Sequence, residues 1–164
     1  MEKVVLALSV MLFFQVIVDL LIISEYRKRQ VEYIGPKVGE RFKGFEKVLR
    51  ICTGEKYVFK KINNFLFFDV QCITCKELLK KIEKYDKEIK NLTLITYGDT
   101  KEIMEFYDSL SFEAEFYYIE KEEDFDKDLG ITIYPFFIQT EFDKVIEKQF
   151  ADIDVLIESG CFDE

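Results

Sequence analysis

Four consecutive apolar residues, Phe65-Leu66-Phe67-Phe68, end at Asp69, and a few positions later the apolar pattern changes its period. A short apolar run without alternation is the signature of a strand buried on both faces. Over residues 73–90, Leu78, Leu79, Ile82, Tyr85 and Ile89 instead fall at helical spacing with Lys and Glu between them, which predicts an amphipathic helix. Cys72-Ile73-Thr74-Cys75 stands at the junction. A buried strand that hands over to a helix through a Cys-x-x-Cys fixes both the local fold and the setting of two thiols.

The rest of the chain continues in the same alternation. A hairpin is expected over Val48 to Cys52 and Tyr57 to Lys60, turning at Gly54-Glu55. Further strands are expected at Leu92–Thr96, Phe116–Ile119, Phe136–Gln139 and Lys144–Gln149. Helices are expected from Asp99 or Thr100 to about Leu110, from Glu122 to Leu129 with Gly130 as its stop, and from Asp152 to Ser159. Apolar strands separated by helices require crossover connections and a sheet covered on both faces, an α/β architecture. The last two strands are close enough for an antiparallel pair.

The helix entrance gives the cysteines their chemistry. The first turn of a helix presents unpaired N–H groups and the positive end of the dipole, and both favour a thiolate over a thiol. The thiolate is the attacking species in disulfide exchange. Cys72, at the entrance, is assigned as nucleophile; Cys75, one turn further in, is assigned as the resolving thiol that releases a mixed disulfide. A bridge closing so small a ring constrains the unfolded chain little, so a purely structural disulfide is a poor use of this spacing.

Composition excludes much else. The 164 residues contain no His, which removes Ser-His-Asp and Cys-His catalysis and imidazole metal sites. The four Cys have no repeated metal-site spacing, and no cofactor is expected. A formal charge of −9 opposes nucleic-acid binding. With 49% apolar residues and 17 Phe the chain can bury a core.

Residues 4–23, VVLALSVMLFFQVIVDLLII, are a candidate membrane span. As a helix, twenty residues cover about 30 Å, the thickness of a bilayer core. There is no small-residue cleavage site before Glu25, so an anchor is favoured over a signal peptide. Gln15 and Asp19 share a helix face. They either contact a partner membrane helix or let Asp19 reach interfacial water. Arg27, Lys28 and Arg29 follow the span, and the positive-inside rule then places the following domain in the cytoplasm. The expected organisation is an anchor over 1–25, a linker and lead-in over 26–45, a domain over 46–160 and a tail over 161–164.

Tyr134-Pro135 opens the strand at Phe136. A strand start tolerates the missing N–H, and an X-Pro bond can be cis. With Phe65 to Leu79 and Leu129-Gly-Ile-Thr-Ile-Tyr-Pro-Phe136, the chain resembles the thioredoxin superfamily. The nearer likeness is to membrane-anchored MauD-like and TlpA-like thiol–disulfide oxidoreductases, and the stretch from Arg29-Gln30 through Ile34 to Glu40 resembles the post-anchor segment of MauD-like proteins. The resemblance implies a thioredoxin-like fold, a central mixed sheet flanked by helices, with the N-terminal hairpin as an extension. It implies Cys72 and Cys75 as the catalytic pair and Tyr134 and Pro135 as a cis-proline edge of the substrate groove. It implies protein thiol or disulfide substrates, a membrane electron-transfer partner and an extracytoplasmic domain, the last against the charge rule.

The chain departs from that pattern in three places. Ile-Thr separates the cysteines, Lys80 stands where many members carry proline, and Leu66 stands where cytosolic thioredoxins keep a buried acid. Asp69 is nearer the pair, either as an exposed loop acid or as a charge that raises the Cys72 pKa. Cys52 reads as a small buried residue at a strand end, and Cys161 as part of a mobile tail. The competing reading is a non-catalytic thioredoxin-like adaptor that assists maturation of a membrane partner.

Overall fold

The computed structural model describes residues 2–85, 89 and 91–162, without the side chains of 2–9, 27–30, 32 and 33. One compact unit ends at Tyr33 and the second begins at Ile34.

The first unit is a single helix, α1 (Glu2–Tyr33). It runs past residue 25, through part of the expected linker. The apolar side chains of residues 10–26 are exposed, Met11 at 71% and Phe13 at 66%. Among the described residues no helix is long and apolar enough to cross a membrane. The expected span over 4–23 is therefore not supported there, and the side chains of residues 4–9 lie outside the described set, as do those of Arg27, Lys28 and Arg29.

The second unit is an α/β sandwich around a six-stranded sheet of order β1-β4-β3-β2-β5-β6. The strands are β1 (Leu49–Arg50), β2 (Ile62–Phe67), β3 (Leu92–Tyr97), β4 (Glu115–Ile119), β5 (Phe136–Glu141) and β6 (Lys144–Phe150). The helices are α2 (Ile73–Lys84), α3 (Thr100–Asp108), α4 (Glu122–Asp124), continued by a π-helical turn at Phe125–Leu129, and α5 (Ile153–Glu158). β2, β3 and β4 are parallel; β5 is antiparallel to β2, β6 to β5 and β1 to β4.

β2 is buried on both faces, and its alternating side chains feed two separate cores. Leu66 and Phe68 join Leu94, Phe116 and Phe137 beneath Leu78, Leu79 and Ile82 of α2, Ile103 of α3 and Leu156 of α5. Phe65 and Phe67 point the other way into an aromatic layer. Phe65 lies 4.9 Å from Phe45 and 5.1 Å from Tyr57, and Phe67 lies 5.7 Å from Phe42 and 5.9 Å from Phe125, between ring centroids. Edge-on and tilted ring pairs at these separations add about 0.5–1.5 kcal/mol each beyond the area they bury.

Several expected elements differ. The lead-in that reads as a linker packs: Ile34, Phe42 and Phe45 are buried. Its backbone runs along β6, with the Gly39 N–H donating to the Val145 carbonyl (2.8 Å), Val145 N–H to Glu40 (2.9 Å) and Phe42 N–H to Asp143 (2.6 Å). That pairing covers an edge strand that would otherwise be open. The expected hairpin shrinks to the two residues of β1, because β1 pairs with β4 and meets its own return only at Leu49 and Lys56. α2 stops at Lys84, and Ile89 instead bridges to Phe162. Of the expected tail, Cys161 and Phe162 are buried, and 163 and 164 lie outside the described residues. Cys52, expected inside, is exposed in a turn.

Gly44, at φ 90°, shows how tightly the lead-in is seated. A Cβ there would lie 2.5 Å from the Asp128 carbonyl oxygen. Next to it Lys47 pairs with Asp124 at 2.9 Å and Asp128 at 2.7 Å, one turn apart on the segment that leads to Tyr134-Pro135.

Candidate active site

The site forms where β2 ends. The Phe68 N–H makes the last rung to the Ile95 carbonyl (3.0 Å), and then Asp69 turns the chain. Asp69 Oδ1 accepts the Gln71 N–H at 2.8 Å, an Asx turn, and the Asp69 carbonyl accepts the Cys72 N–H at 3.1 Å. The Gln71 side-chain amide reaches Glu102 of α3 and ties this loop to a second helix.

Cys72 is the N-cap of α2, extended at φ −71° and ψ 123°. Its Sγ accepts the Cys75 N–H at 3.4 Å, in the place of the oxygen that a capping Ser or Asp would offer. The sulfur therefore lies on the first-turn amide of Cys75. Cys72 is half-buried, whereas Cys75 is 1% exposed and belongs to the core under α2. Burial pushes the Cys75 thiol up to about 12. A hydrogen bond from the Asp69 backbone N–H opposes that shift, and the neighbouring Cys72 and the Asp69 charge add to it. Within the described residues all four cysteines are free thiols, so Cys52 and Cys161 are not paired.

Tyr134 and Pro135 come to the same end of the sheet. Phe136 pairs with Phe67, so the residues just before β5 lie beside those just after β2. The Tyr134–Pro135 bond is cis. Pro135 is buried, and its carbonyl accepts the Ala151 N–H at 3.1 Å. The Tyr134 hydroxyl donates to the Ile131 carbonyl at 2.9 Å. Its ring lies 5.8 Å from both Tyr97 and Phe125. Burial raises the pKa of Tyr134 and of Tyr97, and the Asp69 charge adds to both shifts. Ile73, between the cysteines, is 75% exposed and Ile133 37%, leaving apolar side chains on the surface at both segments.

Two residues gain a part that the sequence did not assign. Asp69 hydrogen-bonds both cysteines through its backbone, and its charge adds to the upward shift of Cys75. Tyr97, one residue beyond the expected strand Leu92–Thr96, joins the aromatic group. An Asp two residues before a turn amide is a sequence signal for the Asx turn; nothing local marks Tyr97. Among the described residues no group of three His, Cys, Asp or Glu is placed to hold a metal ion.

No family model and no curated protein matches the chain. Solved structures do. The chain is similar to a peroxiredoxin-like protein from Aquifex aeolicus, with TM-score 0.56 and 14% identity over 78% of this chain and 89% of that one. It is similar to the pneumococcal exposed lipoprotein thioredoxin from Streptococcus pneumoniae, with TM-score 0.54 and 12% identity over 73% and 97% of the two chains. It is also similar to a thio-disulfide isomerase from Thermus thermophilus, with TM-score 0.52 and 12% identity over 78% and 97%. The second unit thus has a thioredoxin-like fold, the α/β class that the sequence predicts.

Proposed function

We propose that the chain is a thiol–disulfide oxidoreductase acting on protein substrates through Cys72 and Cys75. The observation that carries the reading is the division of labour across one helical turn. Cys72 is accessible at a helix entrance, and Cys75 sits buried beside it with its N–H on the Cys72 sulfur. In the reducing direction Cys72 attacks a substrate disulfide, one substrate thiol leaves, and a mixed disulfide forms. Cys75 then attacks Cys72, the second substrate thiol leaves, and two electrons and two protons have passed from the pair to the substrate. Tyr134 and Pro135 border the groove in which the substrate lies.

The finer proposal is a tether: residues 4–23 hold the domain at a membrane, with the catalytic domain extracytoplasmic and a membrane protein renewing the pair. Its support is the length and apolarity of that segment in the sequence. Insulin reduction tests the first part: Cys72→Ser abolishes it, and undiminished activity ends the reading. Carbonate extraction of membranes from cells expressing the full chain tests the second. Release into the supernatant ends the tether, and labelling of Cys72 by a membrane-impermeant maleimide on intact cells decides its side.

A further inference from the structure

The end of the sheet away from the cysteines carries a strained and exposed phenylalanine. Phe142 sits at the tip of the β5–β6 hairpin with φ 52°, a conformation that costs a bulky L residue and suits Gly or Asn. Three hydrogen bonds hold it there. Its N–H donates to the Lys61 carbonyl at 2.7 Å, and its carbonyl accepts the Thr140 hydroxyl at 2.7 Å and the Asn63 amide at 2.9 Å. The ring is nevertheless 57% exposed, and Ile62, paired with the adjacent Glu141, is exposed with it. A strained backbone that the fold retains and an apolar ring that it leaves in water both point to a use outside the fold.

Cations surround this tip. Lys61 precedes Ile62, Lys144 lies two residues beyond Phe142, and Arg41 bridges to Lys144. Arg41, Lys43 and Lys56 line one cleft of about 540 Å³ together with Glu46 and Asp143. Asp143 lies 3.6 Å from Arg41. Among the described residues Lys43, Lys56, Lys61 and Lys144 make no ion pair. The acids here are Glu46, Glu141 and Asp143. The sequence carries the same bias: over residues 34–61 eight Lys or Arg stand against three Glu, in a chain of net charge −9.

We infer that this tip docks on an anionic lipid bilayer. Phe142 and Ile62 enter the headgroup layer while Arg41, Lys43, Lys56, Lys61 and Lys144 meet lipid phosphates. Lys and Arg suit that boundary because their apolar stems lie along it with the charged heads at the phosphates. Each cation near an anionic leaflet strengthens binding by about fivefold. An apolar ring among unpaired cations, in a chain whose net charge opposes such a surface, is complementary to an apolar layer beneath negative phosphates. β2 carries the chain about 17 Å from Ile62 at this end to Phe67 beside the cysteine turn, so the docked domain holds Cys72 away from the bilayer. Docking here requires neither the redox reading nor the tether.

The chain contains no Trp, so Phe142→Trp places a single indole at the tip. The full chain carrying it is added to vesicles of phosphatidylcholine alone or mixed with phosphatidylglycerol, both with brominated acyl chains as quencher. With phosphatidylglycerol the emission is expected to shift to the blue and to be quenched. In phosphatidylcholine alone, or at high salt, both effects are expected to vanish. Lys61→Glu combined with Lys144→Glu is expected to raise the lipid concentration needed by about tenfold or more. Phe142→Asn, read with Ile62→Trp as the reporter, separates docking from a structural role. It is expected to raise the urea midpoint, since Asn accepts positive φ, and to lose the quenching that Ile62→Trp shows by itself. Quenching that is equal in the two vesicle types, or absent from both, overturns the docking surface; an α1 that inserts by itself gives the second of these results. A blue shift that grows with protein concentration in the absence of lipid assigns the tip to a second copy of the chain and overturns it as well.

Discussion

The Cys75 N–H donates to the Cys72 sulfur across 3.4 Å, and this contact orders the pair: the acceptor is the outer thiol and the donor belongs to the buried one. A negative charge on Cys72 strengthens that bond, since hydrogen bonds to ionised acceptors are about twice as strong as neutral ones. The two sulfurs are therefore not interchangeable, and variants at the two positions have different expected outcomes.

Cys75→Ser is expected to keep the attack on substrate and lose the release. The variant then accumulates a disulfide between Cys72 and its substrate, seen as an added mass on denaturing, non-reducing analysis. Cys72→Ser is expected to accumulate none. Equal trapping by both variants contradicts the assignment.

Reactivity toward iodoacetamide is expected to follow exposure and ionisation. Burial raises Cys75 to about 12 and Cys161 to about 11, so at pH 8 their thiolate fractions are about one in ten thousand and one in a thousand. Cys52 and Cys72 are expected to be alkylated in the folded protein, with Cys75 and Cys161 modified only after denaturation. Peptide mapping after a short exposure reads the order.

The same two thiols make folding sensitive to alkali. Their ordinary pKa of 9.0 applies to the unfolded chain, and the folded values are raised. Below pH 9 both states hold the proton and the contribution is fully present. Above it the unfolded chain releases protons that the folded chain keeps, so stability falls as pH rises toward 11 and 12. Urea midpoints measured from pH 8 to pH 11 are expected to decline, and Cys161→Ala is expected to lessen the slope.

Asn63 anchors the far end of β2 from the cysteines. Its Oδ1 accepts the Tyr57 hydroxyl at 2.8 Å and the Lys60 N–H at 2.7 Å, and its Nδ2 reaches Lys60 O, Thr140 Oγ1 and Phe142 O at 2.9–3.0 Å. Asn63→Ala strands these partners in a buried setting and is expected to cost about 2–4 kcal/mol by urea unfolding. Gly44→Ala, which drives a Cβ into the Asp128 backbone, is expected to cost about 1–3 kcal/mol. Lys47 gives a useful contrast: its ion pairs are exposed, and such pairs contribute little.

What could be read in the sequence was local. Phe65 to Phe68 before Cys72, and Leu78, Leu79 and Ile82 after it, carry the strand and the helix in their own spacing, and the cysteines inherit their positions from both. The lead-in could not be read this way. Gly35, Gly39 and Gly44 do adopt positive φ, as loop glycines do, but Phe42 and Phe45 are buried against Phe65 and Phe67 of β2, while their backbone pairs with β6, about a hundred residues away in the chain. Cys52 and Cys161 exchanged their expected environments for the same reason. β1 pairs with β4 and meets its own return only briefly, with Cys52 exposed in the turn between, and α5 packs on the core that covers Cys161. Tyr97 reaches Tyr134 only through the strand order β3-β2-β5, and no local pattern encodes that order.

The most direct test of the central claim is reversible pairing of Cys72 with Cys75 in the intact chain. After equilibration with oxidised glutathione, tryptic mapping is expected to find a Cys72–Cys75 disulfide that dithiothreitol reopens, with Cys161 still a thiol. A chain in which Cys72 ends as a stable glutathione adduct while Cys75 remains free would contradict the account.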